Sequence, residues 1–136
     1  MIVVDASVWV SGAVPDETDY QLVRRWLRTQ LRTGEPLGGP TIVLAEVAGA
    51  IARRSGSTGE ADEAVREVLL VAGPNLLPVD ETLAREAARL AADLGLRGAD
   101  ATYVATAARF ACPLVTWDAE MIRKTHGTIA ARHPSI

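Results

Sequence analysis

Residues Met1-Ile2-Val3-Val4-Asp5 form an apolar, mostly β-branched run that ends on an acid. Continuous β-branched residues are typical of a strand in a parallel sheet that is covered on both faces. Near the other end of the chain, Pro113-Leu114-Val115-Thr116-Trp117-Asp118 repeats the pattern. Because open α/β sheets place their sites outside the carboxyl ends of the strands, Asp5 and Asp118 are predicted to emerge at such a site.

Two more acids interrupt apolar stretches in the middle of the chain. Glu46 lies within residues 42–48, and Asp100 directly precedes the apolar run 101–105. Two carboxylates about 5 Å apart repel by about 3 kcal/mol at an effective dielectric constant of about 20, so acids gathered at one edge need a cation. Oxygen ligands without nearby Cys or His favour Mg²⁺ or Mn²⁺, and a pair of such ions can act on a phosphodiester. The sequence therefore predicts a metal site formed by Asp5, Glu46, Asp100 and Asp118.

Each acid also has a simpler interpretation. Asp5, Asp100 and Asp118 precede predicted helices, where Asp is a preferred N-cap, and Glu46 could be an ordinary solvent-facing helix residue. Independent capping roles do not readily explain why four acids occupy related positions, so the joint pattern favours the metal site. Glu120 could be a peripheral acid of that site or a first-turn helix residue.

Ser7 and Thr116 each stand two residues from an acid that is predicted at a strand end. Their hydroxyls could orient a carboxylate or a metal ligand, or they could simply form turns with the backbone. His126 and His133 lie in a polar C-terminal stretch, and we expect both at the surface.

Composition places the chain among ordinary globular proteins. It has 136 residues, 49% of them apolar and 23% charged, which predicts a single domain over residues 1–136. The net charge is −3, so there is no global basic field, although 13 of the 14 basic residues are Arg. A single cysteine, no signal-peptide pattern and no membrane-length apolar run favour a soluble, cytoplasmic protein.

Hydrophobic periodicity predicts an alternation of strands and helices, and therefore an α/β fold with a mainly parallel sheet. Strands are predicted at residues 2–4, 74–79 and 114–116, with a weaker signal near 129–131. Helices are predicted at residues 18–33, 41–54, 60–72, 80–94, 100–110 and 119–125, with Thr41 and Asp80 as caps. Residues 34–40, which hold two prolines and three glycines, are predicted to be a loop.

The helical stretch from residue 18 to residue 72 is longer than one crossover between strands requires. We therefore expect a helical arm in this region. An apolar ridge of Leu22, Trp26 and Leu27 could pack internally or bind a second protein, and we predict that part of it is an interface.

Four segments together resemble the signature blocks of PIN-domain nucleases, in the family's order and spacing. They are residues 2–7, 41–47, 94–101 and 113–118. The small size of the chain is similar to that of VapC-type toxins of toxin–antitoxin modules. The resemblance implies a three-layer α/β/α PIN-like (Rossmann-like) domain with a mainly parallel central sheet and a helical arm. It also implies an endoribonuclease that uses Mg²⁺, or Mn²⁺ in its place.

The resemblance further implies roles for individual residues and partners. It makes Asp5, Glu46, Asp100 and Asp118 the catalytic and metal-site acids and leaves Ser7 and Thr116 as their polar support. It implies a homodimer that is neutralised by a small antitoxin. Since the whole chain is acidic, RNA contact must come from local cations, and those nearest the acids in sequence are Arg97, Arg123 and Lys124.

Other families that gather acids or bind phosphates fit the sequence less well. A receiver domain needs a lysine after a late strand, and Lys124 does not follow one; a haloacid-dehalogenase-type phosphatase needs an acid where Ser7 stands. Glycine-rich dinucleotide and P-loop motifs are absent from the sequence. The strongest alternative is a non-catalytic PIN-like module that binds RNA or a protein, which metal-dependent cleavage would exclude.

Overall fold

A computed structural model describes residues 1–135 and contains a five-stranded sheet with seven α-helices. The strands are β1 (Ile2–Val4), β2 (Leu37–Pro40), β3 (Leu76–Leu77), β4 (Leu114–Val115) and β5 (Ala131–Arg132). The helices are α1 (Ala6–Ala13), α2 (Tyr20–Thr33), α3 (Val43–Ser55), α4 (Thr58–Ala72), α5 (Glu81–Leu94), α6 (Gly98–Arg109) and α7 (Ala119–Lys124). Among these helices, none combines the length and the apolar character that crossing a membrane requires.

The sheet has the strand order β3-β2-β1-β4-β5, and all four of its pairings are parallel. Successive residues Val3 and Val4 of β1 and Leu114 and Val115 of β4 are completely buried. Because neighbouring residues of a strand point to opposite faces, helices must cover both faces of the sheet. The predicted three-layer α/β/α fold with a parallel central sheet is confirmed.

Strand β2 corrects the prediction of a loop at residues 34–40. Its sequence, Leu-Gly-Gly-Pro, lacks the β-branched residues on which strand prediction depends. A Cβ atom at Gly38 would stand 2.6 Å from the carbonyl oxygen of Asn75, whose side chain also donates to the Leu37 carbonyl. Glycine is therefore required by close packing of the strand against a neighbouring segment.

The helix predictions are confirmed in number and place from α2 onward, with shifted ends. Helix α1 follows Asp5, as expected if Asp5 is a helix cap, although the hydrophobic periodicity had given this helix no bounds. Helix α3 begins at Val43, and the side chain of Thr41 does not cap it. Asp80 does cap α5, since its carboxylate accepts a hydrogen bond of 2.9 Å from the Leu83 amide. Strand β5 lies one to two residues beyond the predicted segment.

Helices α3 and α4 pack against each other within the predicted arm. The proposed apolar ridge of the arm, however, is not free. Trp26 is 1% exposed and Leu27 is 5% exposed, because α2 turns these side chains into the core beside α1. Internal packing is therefore the correct alternative for Trp26 and Leu27, and an interface on the remaining part of the arm stays a prediction.

Candidate metal and nucleic-acid site

The buried side of the candidate site is built around Asp5. Strands β1 and β4 are neighbours, and the Asp5 amide donates to the Val115 carbonyl at 2.9 Å, so the chain ends of both strands lie side by side. The Asp5 carboxylate accepts hydrogen bonds from the hydroxyl of Ser7 and, at 2.8 Å, from the hydroxyl of Thr116. Both predicted supporting hydroxyls therefore hold the same carboxylate.

The same two hydroxyls also accept hydrogen bonds from the backbone that follows β4. The Asp118 amide donates to Thr116 Oγ1 at 3.0 Å, and the Trp117 amide donates to Ser7 Oγ at 3.2 Å. Each hydroxyl thus fixes Asp5 and the start of the segment that carries Asp118. The turn-forming interpretation is correct for Thr116, and it coexists with a role at the site.

Glu46 lies in the first turn of α3 and accepts a 2.5 Å hydrogen bond from the hydroxyl of Tyr103. Tyr103 is completely buried on α6, three residues beyond Asp100. The sequence prediction missed this residue. Its spacing of three from a predicted site acid, which places both on adjacent positions of one helix face, was the available signal.

Asp100 and Asp118 form the exposed side of the site, and Arg97 bridges them. The guanidinium donates to Asp100 at 2.8 Å and to Asp118 at 3.2 Å. Its side chain is 78% exposed, whereas those of Asp100 and Asp118 are 16% and 27% exposed. Arg97, predicted to contact RNA, here neutralises two of the predicted metal ligands.

Two of the four acids are also helix caps, as the simpler interpretation predicted. Asp5 caps α1 through the Ser7 amide, and Asp118 caps α7 through the Glu120 and Met121 amides at 2.8 and 3.0 Å. Asp100 is not a cap, because it lies inside the first turn of α6. Capping therefore explains the local geometry of Asp5 and Asp118, but not that of Glu46 or Asp100.

Burial and neighbouring charges shift the pKa values of two of these acids. Burial raises the pKa of Asp5 above its ordinary value, the hydroxyls of Ser7 and Thr116 offset part of that rise, and the charge of Asp100 adds to it. Burial also raises the pKa of Glu46, the hydrogen bond from Tyr103 offsets part of that rise, and the charges of Asp5 and Asp100 add to it. Burial is the main cause of both rises, and the neighbouring carboxylates add to it.

The donor set fits a hard divalent cation in its chemistry, since it consists of carboxylate oxygens with hydroxyls behind them. Within residues 1–135, no three Asp, Glu, His or Cys side chains are arranged so that they could hold an ion as they stand. Arg97 occupies the space between Asp100 and Asp118 instead. Binding of an ion would therefore require Arg97 to leave and the carboxylates to turn inward.

Two cavities open beside the acids. One, of about 740 Å³, is lined by Ser7, Glu46 and Trp117 and extends past Arg53 and Arg54 to Glu17 and Asp19. The other, of about 350 Å³, is lined by Arg97, Asp100, Asp118 and Lys124, among others. At the edge of the first, the indole of Trp117 stacks on the exposed ring of His133 at 5.4 Å.

The remaining predicted cations differ in their surroundings. Lys124 lines the smaller cavity, where its ammonium contacts Glu120 at 2.8 Å and donates to the Gly95 carbonyl at 2.6 Å. Arg123 is exposed and lies 3.9 Å from Glu120. The contact with Lys124 lowers the pKa of Glu120, which is itself fully exposed. Glu120 thus pairs with cations of α7 in this structure.

Comparison with solved structures supports the fold over nearly the whole chain. VapBC2 of Rickettsia felis, solved with a promoter DNA fragment, matches with a TM-score of 0.76 and 13% identity, covering 99% of this chain and 100% of the other. VapC20 of Mycobacterium tuberculosis, described as a sarcin–ricin loop cleaving toxin, matches with a TM-score of 0.75 and 20% identity over 97% and 99%.

FitAcB of Neisseria gonorrhoeae matches with a TM-score of 0.72 and 22% identity, covering 98% of each chain. At such low sequence identities, these structural similarities establish a shared fold and nothing more. Comparison with curated protein sequences finds no match. The sequence model of the PIN domain, in contrast, matches residues 2–127, which include every acid of the candidate site. The chain therefore belongs to the PIN domain family.

Proposed function

We propose that the protein is a metal-dependent endoribonuclease and the toxin of a toxin–antitoxin pair. The observation that carries the proposal is a set of contacts among the four acids. Thr116 joins the Asp5 carboxylate to the Asp118 amide, Tyr103 of α6 holds Glu46, and Arg97 bridges Asp100 and Asp118. Membership in the PIN domain family supports hydrolysis of nucleic acid. Similarity to VapC20, a sarcin–ricin loop cleaving toxin, supports RNA as the substrate.

Four carboxylates would hold the ion, Mg²⁺ or Mn²⁺ in its place: Asp5, Glu46, Asp100 and Asp118. When bound, the ion supplies a Lewis acid that makes water nucleophilic at neutral pH and neutralises charge on the phosphate. Arg97 gives up both of its carboxylate partners as the site loads. Its high exposure allows this, because an exposed guanidinium loses little when its partners are replaced by water or by a phosphate.

The surrounding side chains fix the direction of the carboxylates before RNA arrives. Ser7 and Thr116 hold Asp5, Tyr103 holds Glu46, and the amides of α7 hold Asp118. Such outer hydrogen bonds keep ligand oxygens pointed at one place and reduce the reorganisation needed in the transition state.

The cavity that runs from Glu46 and Ser7 toward Arg53 supplies a path for a single RNA strand. Arg53 lines this cavity, and Lys124 and the released Arg97 line the smaller cavity beside Asp100 and Asp118. These side chains would contact phosphates and position the scissile bond, whereas the acids act on it. Arg123, exposed on α7, would extend this contact.

A cognate antitoxin is the proposed protein partner, since several structures similar to this chain are toxin–antitoxin assemblies. The bridge formed by Arg97 indicates how inhibition would work. An antitoxin arginine placed between Asp100 and Asp118 would make the same two ion pairs and keep an ion out. We also propose that the toxin is a homodimer, which light scattering at tens of micromolar would test.

Cleavage of RNA by purified protein tests the proposal. Activity on a labelled RNA pool should require Mn²⁺ or Mg²⁺, stop with EDTA, and disappear in Asp100→Asn. Asp93→Asn is a matched control, because Asp93 is an exposed acid of α5 with no ion pair in residues 1–135. If no metal supports cleavage while the protein still binds RNA, the non-catalytic PIN-like module is the better description.

A further inference from the structure

Helix α2 carries a cluster of arginines that the proposed catalytic site does not use. Residues 20–33 contain four arginines and no acid, in a protein whose net charge is −3. Arg24 is neutralised by Glu67 of α4. Arg25, Arg28 and Arg32 are exposed and make no ion pair with any carboxylate of residues 1–135.

These three arginines, which we name the α2 arginine ridge, lie on one face of the helix. Their spacing of three and four residues makes them neighbours, and they span about 10 Å along the axis. Together with Thr29 they line a surface hollow of about 430 Å³, whose lining contains no apolar side chain. A hollow with only guanidinium and hydroxyl donors is suited to phosphates, because a protein segment would need apolar anchors as well.

The ridge begins a short distance along the chain from one end of the groove beside the acids. The larger cavity reaches Glu17 and Asp19, and Asp19 is the residue immediately before α2. Arg25 follows six residues later, which is about 9 Å further along the helix. A strand that leaves the groove at this end is therefore close enough to reach the ridge.

We propose that the α2 arginine ridge is a second RNA-binding site, which holds backbone phosphates of the substrate outside the catalytic groove. The inference rests on the proposed endoribonuclease function, since that function supplies the RNA. Contacts of this kind carry no base specificity, so the ridge would add affinity and orientation while the groove selects the sequence. Like-charge repulsion among three guanidinium groups would be relieved when phosphates bind between them.

Binding measured without cleavage tests the ridge independently of catalysis. The probe is a fluorescein-labelled RNA hairpin with single-stranded flanks, titrated in EDTA and followed by anisotropy over a series of salt concentrations. The variant is R25Q/R28Q/R32Q, because Gln keeps helix propensity while removing the charges. The matched control is R66Q/R85Q/R89Q, which removes three exposed arginines from α4 and α5 and changes the net charge equally.

The ridge variant should bind at least about 10-fold more weakly than wild type near 0.1 M salt, and its salt dependence should fall by about 2 in logarithmic slope. The control should stay within about 2-fold of wild type. Equal losses in both variants would mean that only net charge matters, and would overturn the proposal. Unchanged RNA binding would also overturn it, as would a ridge variant that loses its antitoxin but not RNA. Failure of wild type to cleave, with these binding differences intact, would count against catalysis and leave the ridge standing.

Discussion

The two sides of the candidate site handle the same kind of charge in opposite ways. Asp5 is 7% exposed and is held by the neutral hydroxyls of Ser7 and Thr116. Asp100 and Asp118 are more exposed and share the charged, exposed guanidinium of Arg97. Neutral donors fix a carboxylate without cancelling its charge, whereas a cation cancels the charge but must be removed before another cation can bind. The buried side is therefore preorganised, and the exposed side is exchangeable.

The largest effect that this contrast predicts is at Asp5. Asp5→Asn should lower the rate of RNA cleavage by more than about 100-fold, because a ligand is lost. In metal-free buffer, however, it should raise the melting temperature by about 3 °C, since it removes a charge that burial disfavours. Cleavage kinetics and thermal unfolding in EDTA measure both.

On the exposed side, substitution of an acid should change the metal-free stability in the opposite direction. Asp118→Ala should also abolish cleavage, but it should lower metal-free stability by about 1 kcal/mol, because α7 loses its cap. A loss of stability in EDTA for Asp5→Asn as large as that for Asp118→Ala would contradict this difference between the two sides. Asp5 would then be mainly a helix cap.

The next effect concerns the hydroxyl that joins the two sides. Thr116→Val should weaken Mn²⁺ binding by about 10- to 100-fold in calorimetric titration, since Asp5 loses a donor and the Asp118 amide loses its acceptor. Thr125→Val is the matched control, because its buried hydroxyl bonds only to helix carbonyls. Equal losses in both variants would reduce Thr116 to a packing residue.

A smaller effect concerns the pH dependence of the metal-free protein. The pKa values of Asp5 and Glu46 lie above their ordinary values of 3.8 and 4.5, so the folded state binds these protons more tightly than the unfolded chain. The stability they contribute is fully present below those ordinary values and is lost as the pH rises through the folded-state values.

Glu46→Gln imitates the protonated acid. It should match wild-type stability in mildly acidic EDTA buffer and exceed it increasingly as the pH approaches neutrality, in thermal unfolding followed by circular dichroism. A gap that is constant with pH would show that the charge of Glu46 is not the cause. The gap should vanish when Mn²⁺ is present, because the ion then neutralises the wild-type carboxylate.

The smallest effect is expected at Arg97. Arg97→Gln should lower the Mn²⁺ concentration needed for half-maximal thermal stabilisation by about 2- to 5-fold, because a competing cation is removed from Asp100 and Asp118. The same variant should raise KM for RNA more than it changes kcat. Arg123→Gln, which removes an exposed cation that does not touch these acids, should leave the Mn²⁺ midpoint unchanged.

Local sequence predicted those features that depend on short segments. The strands β1 and β4 were predictable because each is a short apolar run without alternation, which Asp5 follows directly in one case and Asp118 follows three residues later in the other. Strand β2 was not, because Gly38 is set by its approach to Asn75, 37 residues away in sequence. The Tyr103–Glu46 bond joins residues 57 apart, and periodicity carries no information about such pairs.

The order of the strands explains why the site lies in a crevice. From β1 the chain continues to β2 on one side of it, whereas β4 lies on the other side. The connections that follow β1 and β4 therefore run away from each other and do not cover the carboxyl ends of these two strands. The fold leaves an opening there, whichever residues line it. The topology therefore supplies the opening, and the acids determine only its chemistry. Substitutions at the acids should alter what enters the crevice without closing it.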